Sequence, residues 1–217
     1  MRMRLVFNVV AMATAAALLA ACSNSSRRPS FETEGLLAPG GMCAARPSQF
    51  GAAEPMITID EGNGCHVPNP WRVYSLANVS FSEPATLNCG MASPLDDWVE
   101  SVVQPAAQRS FGESVIGFDI AASYSCRPRN NVNGAKMSEH GYGNALDIAG
   151  FTLESGRKVM VLAGWHGAAD EQGFLRTVRR GACDDFMTVL GPGSDAHHRD
   201  HIHLDLQNRR SGGHYCH

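Results

Sequence analysis

Residues 138–149 read SEHGYGNALDIA, and residues 201–206 read HIHLDL. In the first stretch Asp147 is flanked by two apolar residues, an alternation that predicts a half-buried strand with the carboxylate on the opposite face. His140 stands seven residues earlier, and the two glycines and the asparagine in between permit a turn that folds the imidazole back towards Asp147. These stretches decide the fold, because each predicts a strand with one polar face.

The second stretch predicts a strand whose polar face carries histidines. Side chains alternate along a strand, so His201, His203 and Asp205 share one face and the apolar residues share the other. If the two strands are neighbours, one aspartate and two imidazoles point into the same cleft, and His140 adds a third imidazole from the turn. A lone His-x-His is more often a solvated strand face, but an aspartate inside a strand is unusual. The combination predicts a mononuclear zinc site with an open coordination position.

The N-terminus predicts an export signal. Met1–Arg4 is positively charged, and the apolar run from Leu5 to Ala21 is too short and too weakly flanked for a permanent membrane span. It ends in Leu19-Ala20-Ala21-Cys22, which resembles a bacterial lipobox with Cys22 as the lipidated mature N-terminus. The alternative is an ordinary signal peptide with a chance cysteine. In a Gram-negative source, Ser23 favours the periplasmic face of the outer membrane, by analogy with lipoprotein sorting in such bacteria; otherwise the exported lipoprotein belongs to the cell envelope.

These features divide the 217-residue chain into three parts. Residues 1–21 form the lipoprotein signal peptide, residues 22–42 a flexible tether poor in large apolar residues, and residues 43–217 a single domain of ordinary size. The expected partner at the N-terminus is a lipid membrane, reached through the anchor. A net charge of −3 with mixed signs gives no basic surface, so nucleic acid is not an expected partner.

Cysteine usage predicts disulfides. Apart from Cys22, six cysteines remain, and an even number in an exported chain indicates a disulfide framework. No Cys-x2-Cys pair occurs, which argues against zinc ligation through thiolates. The connectivity is open from sequence alone. We expect cysteines adjacent in the chain to pair, as Cys43–Cys65, Cys89–Cys126 and Cys183–Cys216.

The remaining elements surround the two strands. Apolar residues at helical spacing over residues 95–106 predict a core helix, capped by Ser93, with Trp98 on its buried face and kinked or ended by Pro105. Four further elements are expected. They are a strand over Val115–Tyr124, a return strand over Lys158–Leu162, a helix over Ala168–Arg180 and a short helix over Cys183–Leu190.

The pattern Ser-x-His-x-x-Gly-x-Ala-x-Asp, followed by His-x-His-x-Asp, resembles zinc peptidases that trim bacterial cell walls. These include D-alanyl-D-alanine carboxypeptidases and penicillin-insensitive murein endopeptidases, which are grouped with hedgehog as the LAS fold. A closer resemblance, to the bacterial extensin-like C-terminal family, runs from about Cys43 to Cys216. Four segments carry it: Ser123–Arg129, Ser138–Phe151, Phe174–Arg176 with Gly181–Cys183, and Val189–Gly193 leading into His201–Leu206.

The resemblance implies a fold and a metal site. The expected fold is α+β, with a small antiparallel sheet flanked by helices as in LAS and hedgehog proteins, and with disulfides that stabilise it. The cofactor is Zn²⁺, and its ligands are His140, Asp147 and His203, which leaves a fourth position for water. His201 lies beside that water.

The resemblance also implies catalytic residues. Some relatives place a glutamate, the general base, a few residues before the last histidine of the motif. This chain has Asp200 and His201 there, as in the endopeptidase branch, so both are candidate bases and His201 is favoured. Arg127 matches an arginine that lies near the bound peptide in relatives, where it would hold a substrate carboxylate or stabilise the oxyanion.

The implied activity is zinc-dependent cleavage of peptidoglycan peptides, in stems or crosslinks that contain D-amino acids, by an endopeptidase or a carboxypeptidase. An exported, membrane-tethered chain faces that polymer. The alternative is a wall-binding or structural lipoprotein that retains the fold without turning over substrate. The intact ligand set favours the enzyme, and the missing glutamate favours the alternative.

Overall fold

The computed structural model describes residues 51–209 and 212–217. The predicted signal peptide, the lipidation site Cys22, the tether and Cys43 therefore lie outside the described residues. None of the helices in the described part has both the length and the apolar character that crossing a membrane requires.

Most neighbouring strands of the fold are antiparallel. The strands of the described residues are β1 (Ala53–Pro55), β2 (Ile59–Gly62), β3 (Cys65–Val67), β4 (Trp71–Leu76), β5 (Val79–Leu87), β6 (Val115–Ala122), β7 (Ala145–Leu153), β8 (Lys158–Met160), β9 (Thr188–Leu190), β10 (Ile202–Asp205) and β11 (Tyr215–Cys216). Nine of them form one sheet in the order β1-β4-β5-β6-β7-β10-β9-β11, with β8 paired to β7. Only the β5–β6 and β9–β11 pairs of this described sheet are parallel. Strands β2 and β3 form a separate two-stranded sheet.

A mixed fold of helices and a mostly antiparallel sheet is confirmed, but the expectation of a small sheet is wrong. Residues 53–87, for which the sequence analysis assigned no element, supply β1, β4 and β5 to the large sheet. These strands give only weak local patterns, because β1 has three residues and the pairing of β4 with β5 is interrupted by a register shift between Val73 and Ser75. Their pairing with the rest of the sheet stabilises them.

The helices are α1 (Ala92–Trp98), α2 (Gln104–Phe111), α3 (Val161–Gly164) and α4 (Ala169–Gly181), and a π-helical segment, Val99–Val103, joins the first two. Pro105 does not end the helix, and that part of the expectation is wrong, because helical backbone continues to Phe111 and stops at Gly112, in the left-handed region. Pro105 lies in the first turn of α2, directly after the wider π turn, where the proline ring and its missing N–H are tolerated.

The core lies between the helices and one face of the sheet. Trp98 is fully buried, and its ring centroid lies 5.9 Å from that of Phe118 and 6.4 Å from those of Phe151 and Phe186. The indole Nε1–H donates to the carbonyl of Val178 in α4 at 2.9 Å, so the one polar atom of this ring is satisfied. The prediction that Trp98 belongs to the core is confirmed.

The prediction of a short helix over Cys183–Leu190 is wrong. A 3₁₀ turn covers Ala182–Asp184, and the chain then forms β9, which pairs with β10. A short apolar run does not distinguish a strand from a buried helix by its period. Here the backbone hydrogen bonds that β10 offers decide the conformation.

Two of the three expected disulfide pairings are wrong. In the described residues Cys65 is bonded to Cys126, with 5.7 Å between their Cα atoms, and Cys183 is bonded to Cys216, as expected. Cys89 is disulfide-bonded too, but not to Cys126. Proximity along the chain fails as a guide because β3 packs against the turn that carries His140, beside the loop that follows β6.

Candidate metal centre

Strands β7 and β10 place an aspartate and a histidine side by side. The two strands are antiparallel neighbours, and their register sets His203 directly opposite Asp147. The Nδ1 atom of His203 lies 2.7 Å from Oδ1 of Asp147, and both residues are buried. The flanking residues of both strands point into the core, so the cluster occupies the opposite face of the sheet.

A 3₁₀ turn, Glu139–Tyr142, brings His140 to the same carboxylate. Its Nε2 atom lies 3.1 Å from Oδ2 of Asp147, and the residue is 2% exposed. The turn ends at Gly143, whose φ of 58° is in the left-handed region that favours glycine. A Cβ there would lie 2.9 Å from the backbone nitrogen of Asn88, so glycine also permits close packing behind the turn.

Hydrogen bonds on the far side of each ring orient both imidazoles. His140 donates from Nδ1 to the carbonyl of Ser123, and His203 donates from Nε2 to Oδ2 of Asp205 at 3.0 Å. The remaining nitrogens therefore face Asp147, and the three ligand atoms of the cluster lie within 4.8 Å of one another. The lone pairs of the two imidazoles and the negative carboxylate repel one another unless a proton or a cation lies between them. A buried set of two nitrogens and one oxygen, with partners that orient each imidazole, fits Zn²⁺.

The electrostatics of the cluster are those of a site that needs positive charge. Burial opposes the charge on Asp147, but hydrogen bonds from His140 and His203 outweigh it and hold the pKa of that carboxyl well below its ordinary value. Burial also opposes the charge on His203, yet hydrogen bonds to Asp147 and Asp205 raise its pKa to about 9. In the metal-free protein, His203 is therefore protonated, and its proton supplies the positive charge that a metal cation would supply.

The two candidate bases lie at different depths. His201 directly precedes β10, and its Nε2 atom lies 3.7 Å from Oδ2 of Asp147. Its Nδ1 atom lies 2.9 Å from Oδ1 of Asp200, whose side chain is 64% exposed. His201 thus faces the cluster, and Asp200 holds its ring from the solvent side.

A cleft of about 500 Å³ opens in front of the cluster. Arg127 lines it together with His140 and His201. Among the described residues no carboxylate lies within ion-pairing distance of Arg127, so its guanidinium is available to a ligand. The Cys65–Cys126 disulfide and a hydrogen bond from the Ser138 amide to the Arg127 carbonyl at 3.1 Å hold this loop in place.

A family model, Extensin-like protein C-terminus, matches residues 41–217, which include the whole cluster and its cleft. The chain belongs to this extensin-like family. No curated protein and no solved structure matches the chain.

In this extensin-like domain two histidines that were not identified from the sequence, His197 and His198, also line the cleft, and only His198 is buried. His198 is 9% exposed, and its ring centroid lies 5.2 Å from that of His201 and 5.6 Å from that of His203. Its Nδ1 atom lies 2.7 Å from Oδ1 of Asp195, a carboxylate that also accepts the backbone N–H of His197. The only available signal was the spacing of three residues to His201. That spacing predicts nothing about side-chain direction in a loop.

Proposed function

We propose that this protein is a zinc-dependent peptidase that cleaves peptidoglycan peptides containing D-amino acids. The observation that carries the proposal is the buried cluster of His140, Asp147 and His203, whose imidazoles are both oriented towards the carboxylate at the floor of a cleft. His140, Asp147 and His203 would hold the ion. A cleft of about 500 Å³ is wide enough for a short peptide.

When bound, zinc supplies a Lewis acid that lowers the pKa of water to about 7 and polarises a carbonyl. The chain's own residues supply the proton transfers. His201 accepts the proton of the attacking water at Nε2 and returns it to the amine when the C–N bond breaks, a step worth about 10²–10⁴-fold. The Asp200 carboxylate at Nδ1 orients the ring and stabilises the imidazolium.

Arg127 has the second role in this proposal. Its guanidinium carries a positive charge without a carboxylate partner in the described residues, on the wall of the cleft that holds the cluster. Such a group binds a substrate carboxylate, or stabilises the negative charge that develops on the scissile carbonyl oxygen. Endopeptidase and carboxypeptidase activity both fit this arrangement.

The proposal includes a location. Lipidation of Cys22 would anchor the domain to the periplasmic face of the outer membrane, within reach of peptidoglycan. The second candidate function is a wall-binding lipoprotein that holds zinc without turnover. The residues before His203 favour it, because the glutamate base of some relatives is replaced there by Asp200 and His201, and Asp200 is largely exposed and hydrogen-bonded to His201.

Digestion of purified muropeptides by the zinc-loaded full-length protein, read by mass spectrometry, tests the proposal. We expect product peptides that disappear with a chelator and return with zinc. His166→Ala is a matched control, because this exposed histidine lies outside the cleft lining and should keep full activity. Full zinc occupancy with binding to muropeptides but no cleavage would establish the wall-binding function instead.

A further inference from the structure

Arg209 lies in the same cleft as the metal cluster but belongs to a different part of the chain. It follows β10 and lines the cleft next to Thr188 and Tyr215. Its Nη2 atom donates to Oγ1 of Thr188 at 2.7 Å, and its guanidinium carbon lies 5.3 Å from the centroid of the Tyr215 ring. Neutral contacts therefore hold this cation in position.

The charge of Arg209 has no partner within the described part of the chain. No carboxylate lies within ion-pairing distance of it, whereas Arg129, on the lining of the same cleft, is paired with Glu139 at 3.6 Å. The Nε atom of Arg209 is buried and makes no hydrogen bond in the described structure. Asp205, the nearest acid in the sheet register, has both oxygens engaged, by His203 and by the Gln207 amide. A partly buried guanidinium with unused hydrogen-bond donors indicates that this part of the cleft binds an anion.

The sheet register gives the spacing along the strands between the cluster and Thr188, the residue that accepts a hydrogen bond from Arg209. In β9, Leu190 is opposite His203, and Thr188 is opposite Asp205. Thr188 is therefore two residues away from the row of His203, which is about 7 Å along an extended strand. An extended peptide spans the same distance with about two residues. A ligand with its scissile bond at the cluster thus brings a group one or two residues away to Arg209.

The C-terminal tail holds this part of the cleft in place. Tyr215 donates its amide to the Met187 carbonyl at 2.9 Å, and β11 lies parallel to β9. The Cys183–Cys216 disulfide fixes the residue next to Tyr215. The backbone that carries the Tyr215 ring is therefore held in place before any ligand arrives, which lowers the entropy cost of binding.

We propose that Arg209 is a specificity-determining residue that, with Thr188 and Tyr215, forms a carboxylate subsite for the substrate peptide. The inference rests on the proposed function for the position of the scissile bond. Preferred substrates carry a free carboxylate one or two residues from the cleaved bond. Peptides with a carboxamide at that place bind more weakly, because the amide removes the charge and offers a single acceptor to the guanidinium.

The test uses a disaccharide tetrapeptide with free carboxylates and its derivatives in which each carboxyl in turn is a carboxamide. Equilibrium binding to the full-length protein is measured with and without zinc, and KM and kcat are measured with zinc. One carboxamide should weaken binding by about 10-fold or more, the scale of a lost charge-assisted hydrogen bond. Arg209→Gln should abolish that preference, raise KM for the free acid by a similar factor and change kcat less than about 2-fold.

Three controls make the outcome decisive. Arg180→Gln removes an exposed arginine of α4 and should leave the preference intact. Arg209→Lys should keep part of the preference for the free acid, because the positive charge remains. Zinc content should be equal in all variants. A wild-type protein that binds every carboxamide as tightly as the free acid overturns the inference, whatever the variants do. A binding preference that Arg209→Gln removes, without turnover by any variant or by the wild type, supports the subsite and refutes the peptidase function, whereas a preference that Arg209→Gln leaves intact overturns the inference.

Discussion

At the scale of single residues, the two imidazoles of the cluster differ in the group that accepts a hydrogen bond from the far side of the ring. His140 donates to the backbone carbonyl of Ser123, whereas His203 donates to the carboxylate of Asp205. A carboxylate behind a ligand histidine raises its basicity and improves it as a donor to a metal. In the proposed zinc site His203 would therefore be the stronger donor of the two, and in the metal-free protein its raised pKa favours a bound proton.

We predict that zinc retention separates the ligands from the base. His140→Ala, Asp147→Ala and His203→Ala each leave two protein ligands and should purify nearly free of zinc, with lower melting temperatures, because zinc binds the folded site in preference to the unfolded chain. His201→Ala should keep stoichiometric zinc and near-normal melting, while turnover falls at least about 100-fold. Elemental analysis measures the zinc content and calorimetry the melting temperature, with His166→Ala as the reference. Loss of zinc from His201→Ala but not from His203→Ala would show that the two roles are exchanged.

We predict that the metal-free protein loses stability as the pH rises from about 6.5 to about 9. The pKa of His203 is raised from 6.5 to about 9 in the folded protein, because hydrogen bonds to Asp147 and Asp205 outweigh burial. A pKa that is higher in the folded state contributes stability that is complete below pH 6.5 and is lost as the pH passes 9. Protonation of His203 contributes about 3 kcal/mol to the free energy of unfolding. Urea unfolding of chelator-treated protein across this range measures it.

The matched control for this pH dependence is His203→Gln. Glutamine does not titrate, so the variant should show a much flatter stability profile over the same range. Equal slopes for the two proteins would contradict the protonated His203 described here.

At the scale of elements, the turn Glu139–Tyr142 carries His140, the member of the cluster that lies outside the sheet. Its position depends on β3 and on the segment after β5, since the Asn88 amide donates to the Gly143 carbonyl at 2.7 Å. The Ser125 amide donates to the His140 carbonyl at 3.2 Å from the other side. Packing around the turn therefore places the His140 ring.

We predict that Gly143→Ala weakens zinc binding as well as the fold. The substitution puts a Cβ on a residue with a φ of 58° and 2.9 Å from the Asn88 nitrogen, so the turn must move. Gly156→Ala is the control, since its φ is 83° but nothing lies within 4 Å of its Cβ position. Both variants should lose about 1–2 kcal/mol through backbone strain. Only Gly143→Ala should also lose zinc affinity, and equal affinities in the two would contradict the packing argument.

We predict different consequences for the two described disulfides. Each closes a sizeable loop, so removing either as a Cys→Ser pair should cost about 2–5 kcal/mol in urea unfolding. Loss of Cys65–Cys126 releases the loop beside His140 and should weaken zinc binding. Loss of Cys183–Cys216 releases the tail beside Tyr215, and should spare zinc while removing the carboxylate preference. Zinc titrations of the two double variants decide this, and identical zinc affinities would refute it.

At the scale of the whole molecule, one face of the sheet forms the core and the other the cleft. Leu146 and Ile148 of β7 pack into the helix-covered core, together with Ile202 and Leu204 of β10. The alternate residues of the same strands carry the cluster. Substitutions of the more exposed cleft residues, such as Arg127 and His201, therefore leave the apolar packing intact, and their effect on function is separable from loss of fold.

We predict that the whole protein is held at the membrane by Cys22. Cys22→Ala should move it from the membrane fraction to the soluble periplasmic or culture fraction, because the lipid is then absent. Fractionation with an antibody to the domain measures this, and Ser23→Ala serves as the control that keeps the anchor. A Cys22→Ala protein that still requires detergent for release would rule out the lipid anchor.

Local patterns determined much of the molecule from the sequence alone. Alternation around Asp147 and His203 predicts strands with one polar face, helical spacing predicts the helix that buries Trp98, and α4 is found within one residue of its expected bounds. These inferences succeed because backbone period and side-chain direction depend on residues only a few positions apart.

Only the tertiary structure decided which distant groups meet. The pairing of Cys65 with Cys126, the strand rather than a helix at Thr188–Leu190, and the approach of His198 and Arg209 to the cleft were not predicted. Each depends on contacts between segments far apart in sequence, whose free energy is set by packing of the whole core and by the sheet register. The spacing of residues along the chain carries no information about those contacts, so they emerge only when the sheet is assembled.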